Sequence, residues 1–102
     1  MPENSEAPER AAEAGVCSAT VTLSGDLHAR PAGALSMAAA RFSAAVLLLV
    51  EGREANAKSV LAVMQLGAAS GQTVTVRATG PDAPEAVAAI TQALAAATKV
   101  GD

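Results

Sequence analysis

Two short stretches near opposite ends of the chain alternate apolar with polar residues, and they limit the fold more than any other feature. Cys17, Ala19, Val21 and Leu23 alternate with Ser18, Thr20 and Thr22, and Val74, Val76 and Ala78 alternate with Thr73, Thr75 and Arg77. A period of two sends successive side chains to opposite faces, so each stretch is a half-buried strand. A sheet made of such strands needs a cover on one face only, and the segments between them must supply it.

Those segments read as helices and a hairpin. After a Gly25-Asp26 turn, a helix is predicted through about Phe42, with Leu35, Ala38, Ala39 and Phe42 at core-facing spacing. The aliphatic run Ala45–Val50 suits a strand; Glu51-Gly52 turns the chain, and Arg53–Ala57 returns as a weaker strand. Ser59 can cap a short helix through about Leu66, with Gly67 as its stop. Ser70-Gly71 turns into the second alternating strand, and Gly80-Pro81 ends it. Asp82 opens the last helix, with Glu85 three positions on in a capping-box-like arrangement and Val87, Ile90, Leu94 and Ala97 along one side. The order βαββαβα predicts an α+β fold with helices packed on one face of an antiparallel sheet.

A chain of 102 residues supports one modest core, and with Phe42 as its only aromatic that core must be aliphatic. No apolar run approaches the roughly 20 residues needed to cross a bilayer, and the N-terminus lacks a hydrophobic signal core. The lone Cys17 excludes an internal disulfide, so a cytoplasmic protein without membrane insertion is expected. Residues 1–15 mix Pro, Glu, Ala and Ser without periodicity and read as a disordered acidic tail ahead of one domain over residues 16–102. Four glutamates against Arg10 in that tail account for the whole net charge of −3. The remaining chain is neutral, which argues against a nucleic-acid partner.

The only histidine, His28, stands in "SGDLHARPAGALSMAAARF" at the start of the first helix. Chance, a helix cap and a reacting group are its three candidate roles. A helix N-terminus presents unpaired N–H groups and a positive dipole end, which favour anions and a neutral imidazole. Arg30 adds a charged fork suited to phosphate oxygens, and Pro31 stiffens the first turn without losing a needed donor. A nucleophile, a cation and a set of N–H donors can together hold a covalent phosphoryl group. The chain has no GxxxxGK[ST] loop, and its single His and strand-borne Cys make no metal site, so no cofactor is expected. A histidine phosphorylated without a nucleotide site must receive its phosphoryl group from another protein.

The segment "KSVLAVMQLGA" is the second feature, with Val60, Leu61, Val63, Met64 and Leu66 and only Gln65 strongly polar. A short helix lying on a sheet buries one side, so either this helix sits unusually deep or part of it forms an apolar docking patch. Met64 would make such a patch adaptable. Ser59 is explained as an N-cap, and a phosphate there would add negative charge beside the patch.

With "LHARPA" followed by "AKSVLAVMQLG", the chain resembles the HPr family, the histidine-containing phosphocarriers of the bacterial sugar phosphotransferase system. The resemblance spans about Val16 to Ala97. It implies an open-faced β-sandwich, a four-stranded antiparallel sheet with three helices on one face, and a carrier rather than an enzyme. By residue, it makes His28 the phosphoryl acceptor at Nδ1, Arg30 the phosphate-stabilising partner, and Val60, Leu61 and Met64 docking positions. Enzyme I would be the donor and enzyme IIA the acceptor, and Ser59 matches a serine that some bacteria phosphorylate with a dedicated kinase. A carrier meeting two partners through one face is expected to be a monomer. The chain departs from the family pattern at Asp26, where relatives often have Gly, and at Gly25, where many have a polar side chain. A carboxylate near a phosphoryl group repels it unless it points away. The acidic tail is also longer than the family usually carries.

Two other readings remain. One is a regulatory paralogue, in which phosphorylation of His28 reports nitrogen or carbon status. The other, of a different class, is a non-phosphorylated protein-interaction or small-ligand domain in which His28 is only a cap.

Overall fold

The structure, a computed structural model, describes residues 15–97. Its elements are β1 (Val16–Thr22), α1 (Ala29–Ala39), β2 (Ala45–Val50), β3 (Arg53–Asn56), α2 (Val60–Leu66), β4 (Thr73–Thr79) and α3 (Ala83–Ala97), in the predicted βαββαβα order. The strands form one antiparallel sheet in the spatial order β1-β4-β2-β3.

The two alternating stretches that framed the sequence are neighbours. Cys17 faces Ala78, Ala19 faces Val76 and Val21 faces Val74. On the other side of β4, Val46 pairs with Ala78 and Leu48 with Val76. This register sets the small and branched aliphatic side chains in rows on one face, and the three helices cover that face. The opposite face carries Thr20, Thr75 and Arg77 and stays open. The core is aliphatic, as expected: Leu35, Val46, Leu48, Val50, Val63, Val74, Val76, Ile90 and Leu94 are its largest fully buried side chains. Among the described residues, no helix is long and apolar enough to cross a membrane.

Three local expectations need correction. The first helix stops at Ala39, and the amides of Arg41 and Phe42 bond back only three residues, to Ala38 and Ala39, in a tightened last turn. Its buried stripe is Ala32, Leu35, Ser36 and Ala39, while Ala38 and Phe42 are half-buried. Ser36 is tolerated inside because its hydroxyl donates to the Ala57 carbonyl at 2.8 Å. The returning strand of the hairpin ends at Asn56, although the Ala57 amide still reaches the Val46 carbonyl at 2.9 Å.

The third correction concerns Asp82. Its carboxylate does not form a box with Glu85. It reaches across to the link between α1 and β2, accepting the amides of Ser43 at 2.9 Å and Ala44 at 2.8 Å and the Ser43 hydroxyl at 3.3 Å. The Ser43 amide foremost, helped by Ala44 and the Ser43 hydroxyl, holds the Asp82 carboxyl below the usual aspartate range against a smaller cost of desolvation.

The expected tail over residues 1–15 lies outside the described residues except for Gly15, whose carbonyl accepts the Gly80 amide at 2.7 Å. Residues 98–102 and the side chain of Ala97 also lie outside them.

Candidate functional site

The loop from Leu23 to His28 joins β1 to α1, and a second loop, from Ala68 to Gln72, holds it in place. Leu23 donates to Gln72 and accepts from Gly71, each at 2.9 Å, and the Leu27 amide donates to Ala68 at 2.9 Å. The Ser70 amide donates to the Asp26 carboxylate at 2.9 Å, and the Ser70 hydroxyl reaches the Ser24 carbonyl at 3.3 Å. Leu27 is buried in the core, so its neighbour His28 is fixed at the surface by an anchored backbone.

His28 occupies the N-cap position of α1 in extended conformation, with φ −98° and ψ −162°. Its carbonyl accepts the Ala32 amide at 2.9 Å, but its side chain makes no capping bond. The imidazole is exposed and not used to hold the helix. The amides of Ala29 and Arg30 have no partner among the described residues, and Pro31 has none to offer. Arg30 is exposed one residue beyond Ala29, and its guanidinium makes no hydrogen bond to the described residues. The helix end therefore presents two open N–H donors and the positive end of its dipole, with the exposed Arg30 cation two residues after His28.

The Asp26 charge is engaged elsewhere. Because one carboxylate oxygen accepts the Ser70 amide, the group belongs to the bonds between the two loops. Gly25 lies in the same loop and leaves no side chain there. Asp26, Leu27 and His28 nonetheless share a shallow groove of about 300 Å³ with Met64, Gly67, Ala68 and Ala69. That groove brings together two motifs far apart in sequence.

α2 supplies its far wall. Ser59 caps it through its hydroxyl, which accepts the Ala62 amide at 3.1 Å, and Gly67 ends it in the left-handed region at φ 67°. Arg53 on β3 donates to the Leu66 carbonyl at the same end. Val63 and Leu66 face the core, whereas Val60 and Met64 are each 41 % exposed and Leu61 is 64 % exposed. The helix is thus two-sided, and its outer side is apolar.

Met37 on α1 escaped the sequence reading. It is the most exposed of the large apolar side chains described, at 75 %. The available signal was a long side chain lying off the Leu35–Ala39 stripe in a helix otherwise filled with Ala. Among the described residues, no group of three or more His, Cys, Asp or Glu side chains could hold a metal ion.

Comparison with known proteins identifies relatives of the chain. Residues 17–96 match the family model described as the PTS HPr component phosphorylation site. The phosphocarrier protein HPr of Mycoplasma capricolum is 36 % identical over 77 residues, covering 76 % of this chain and 86 % of its own. The solved histidine-containing phosphocarrier protein of a Mycoplasma superposes with a TM-score of 0.72 at 34 % identity, covering 84 % of this chain and 99 % of its own. A crystal structure of HPr from Bacillus anthracis gives a TM-score of 0.73 at 31 % identity, covering 78 % of this chain and 96 % of its own.

Proposed function

Because this chain belongs to the HPr family of phosphotransferase-system phosphocarriers, we propose that His28 takes a phosphoryl group from phosphorylated enzyme I and passes it to a histidine of an enzyme IIA. The observation that carries this reading is an exposed imidazole with no structural duty, beside the open amides of Ala29 and Arg30.

The lone pair of neutral His28 Nδ1 attacks phosphorus in line with the donor's N–P bond; that bond breaks as the new one forms, and the donor imidazole leaves with its electron pair. Nε2 of His28 keeps its hydrogen, so no base is needed. The open amides of Ala29 and Arg30, with the Arg30 guanidinium, would stabilise the developing charge on the phosphoryl oxygens. All these contacts are solvent-accessible and therefore modest, which suits a carrier that must release its cargo as readily as it takes it. The exposed side chains of Val60, Leu61 and Met64 would provide the apolar contact for both partners, one after the other, which suits a monomeric carrier in the cytoplasm. Phosphorylation of Ser59 by a serine kinase would place a dianion next to Val60 and compete with that docking.

Incubation with phosphoenolpyruvate and cognate enzyme I, followed by intact-mass measurement, tests the assignment. One acid-labile phosphoryl group is expected, absent in His28→Ala. No mass shift with an active enzyme I would overturn it.

A further inference from the structure

The C-terminal end of α2 is held from outside the helix. A helix of seven residues is too short to sustain its own last turn, whose carbonyls have no partner within it. The Met64 carbonyl accepts the Gly67 amide at 3.2 Å. The Leu66 carbonyl accepts the Arg53 guanidinium, and a Cβ on Gly67 would lie 3.5 Å from Arg53 Nη1. A cation at this position also opposes the negative end of the helix dipole.

The topology brings Arg53 there. It opens β3, the edge strand of the sheet, and the chain leaves the far end of that strand to enter α2. The helix returns along the strand, so the first residue of β3 meets the last residue of α2. Among the described residues, the guanidinium makes no bond to Glu51 or Glu54 of its own hairpin.

Two residues beyond Leu66 stands the carbonyl that ties down the histidine loop. Ala68 accepts the Leu27 amide at 2.9 Å, and Leu27, buried in the core, precedes His28. Between the two carbonyls lies Gly67 at φ 67°, a residue that adopts many backbone conformations at little cost. Its neighbours on both sides must therefore be held for the link to be stiff. The bonds made by Ser70, Gly71 and Gln72 lie farther from the helix end and reach Leu23, Ser24 and Asp26 instead.

We propose that Arg53 is a positioning residue for phosphoryl transfer. By holding the Leu66 carbonyl it fixes the Ala68 carbonyl, and through the Leu27 amide the backbone that presents His28. Arg53 does not line the groove shared by His28 and Met64, so it acts through the loop. Its part in transfer rests on the carrier reading; the mechanical link from Arg53 to Leu27 does not.

Arg53→Met keeps a long stem and loses every donor, whereas Arg53→Lys returns one. Amide hydrogen exchange in the full chain, followed by NMR, reads the link without any phosphoryl group. In Arg53→Met the Leu27 amide is expected to exchange about tenfold faster, the equivalent of one lost charge-assisted hydrogen bond, while Leu23 and the amides of β4 keep their rates. Arg53→Lys should bring the Leu27 rate back. Single-turnover transfer from phosphorylated enzyme I should fall by a similar factor in Arg53→Met and recover in Arg53→Lys. An unchanged Leu27 rate would overturn the proposal. So would acceleration spread over β4, which would make Arg53 a contributor to overall stability alone. Faster exchange at Leu27 with unaltered transfer would remove the positioning role. No transfer even to the unaltered protein would overturn the carrier reading and the role in transfer with it, a failure that the exchange result tells apart.

Discussion

The Asp26 carboxylate accepts the Ser70 amide at 2.9 Å, a bond between residues 44 apart that joins the loop before His28 to the loop after α2. A charge that stood out in the sequence as a threat to a phosphoryl group is thereby employed in positioning. Asp26→Asn keeps an acceptor and removes the charge, so transfer rates are expected to change by no more than about tenfold, since an exposed charge acts weakly through water. Asp26→Ala loses the acceptor and should lower stability by about 1 kcal/mol. Urea titration and single-turnover transfer assays check the pair.

Arg30 is exposed and bonds to nothing described, so its removal should leave the fold alone. Arg30→Ala is expected to slow phosphoryl transfer by about tenfold, the loss of one charge-assisted contact to the phosphoryl oxygens. Quench-flow kinetics with an unchanged thermal midpoint would establish this. Unchanged kinetics would remove Arg30 from the mechanism.

The two sides of α2 should separate docking from stability. Leu61 is 64 % exposed and Val63 fully buried. Leu61→Glu is expected to weaken enzyme I binding by tenfold or more, on the order of the energy of one apolar anchor, with a stability change within about 0.5 kcal/mol. Val63→Ala should do the reverse, costing about 1–2 kcal/mol of stability. Calorimetric binding and urea unfolding of both variants make the comparison.

Ser59 combines a structural bond with a candidate modification. Its hydroxyl satisfies the Ala62 amide, so Ser59→Ala should cost about 1 kcal/mol. Ser59→Asp retains a capping oxygen and adds a negative charge beside exposed Val60, and should leave stability nearly intact while weakening partner binding. Equal binding by Ser59→Asp and the unaltered protein would detach Ser59 from regulation.

Asp82 gives the molecule an acid-sensitive tie. Its folded pKa lies below the unfolded value, so the carboxylate contributes stability above the unfolded pKa. That contribution is lost as pH falls through the folded value. Asp82→Asn is expected to flatten the acid limb of the stability curve, read from urea midpoints between neutral pH and about pH 3. An identical acid limb in the variant would show that other carboxyls govern it.

The order of elements and the aliphatic core were legible because strand alternation and the Ser59 and Gly67 signals are local. Side-chain destinations across the fold were not. Nothing near Asp82 in sequence indicates that it bonds Ser43 and Ala44, and nothing near Asp26 indicates Ser70. In α1, Ala at positions 29, 32, 34, 38 and 39 leaves the buried and exposed sides weakly distinguished in hydropathy. The helix could therefore be recognised while its rotation could not, and neither the buried Ser36 nor the exposed Met37 was assigned from the sequence. For the candidate site, His28 and Arg30 stood out by chemistry and spacing. The open state of the imidazole and the groove shared with Met64 needed three dimensions.

The bonds from Ala68–Gln72 to the His28 loop also bear on how the protein is made. The reactive loop is synthesised before the residues that fix it, which leave the ribosome well after His28. Until then its backbone has no partner to set it against. A nascent or truncated chain ending before Ala68 would carry His28 without the docked loop, so the ability to take a phosphoryl group in register would arrive only once the Ala68–Gln72 loop has emerged.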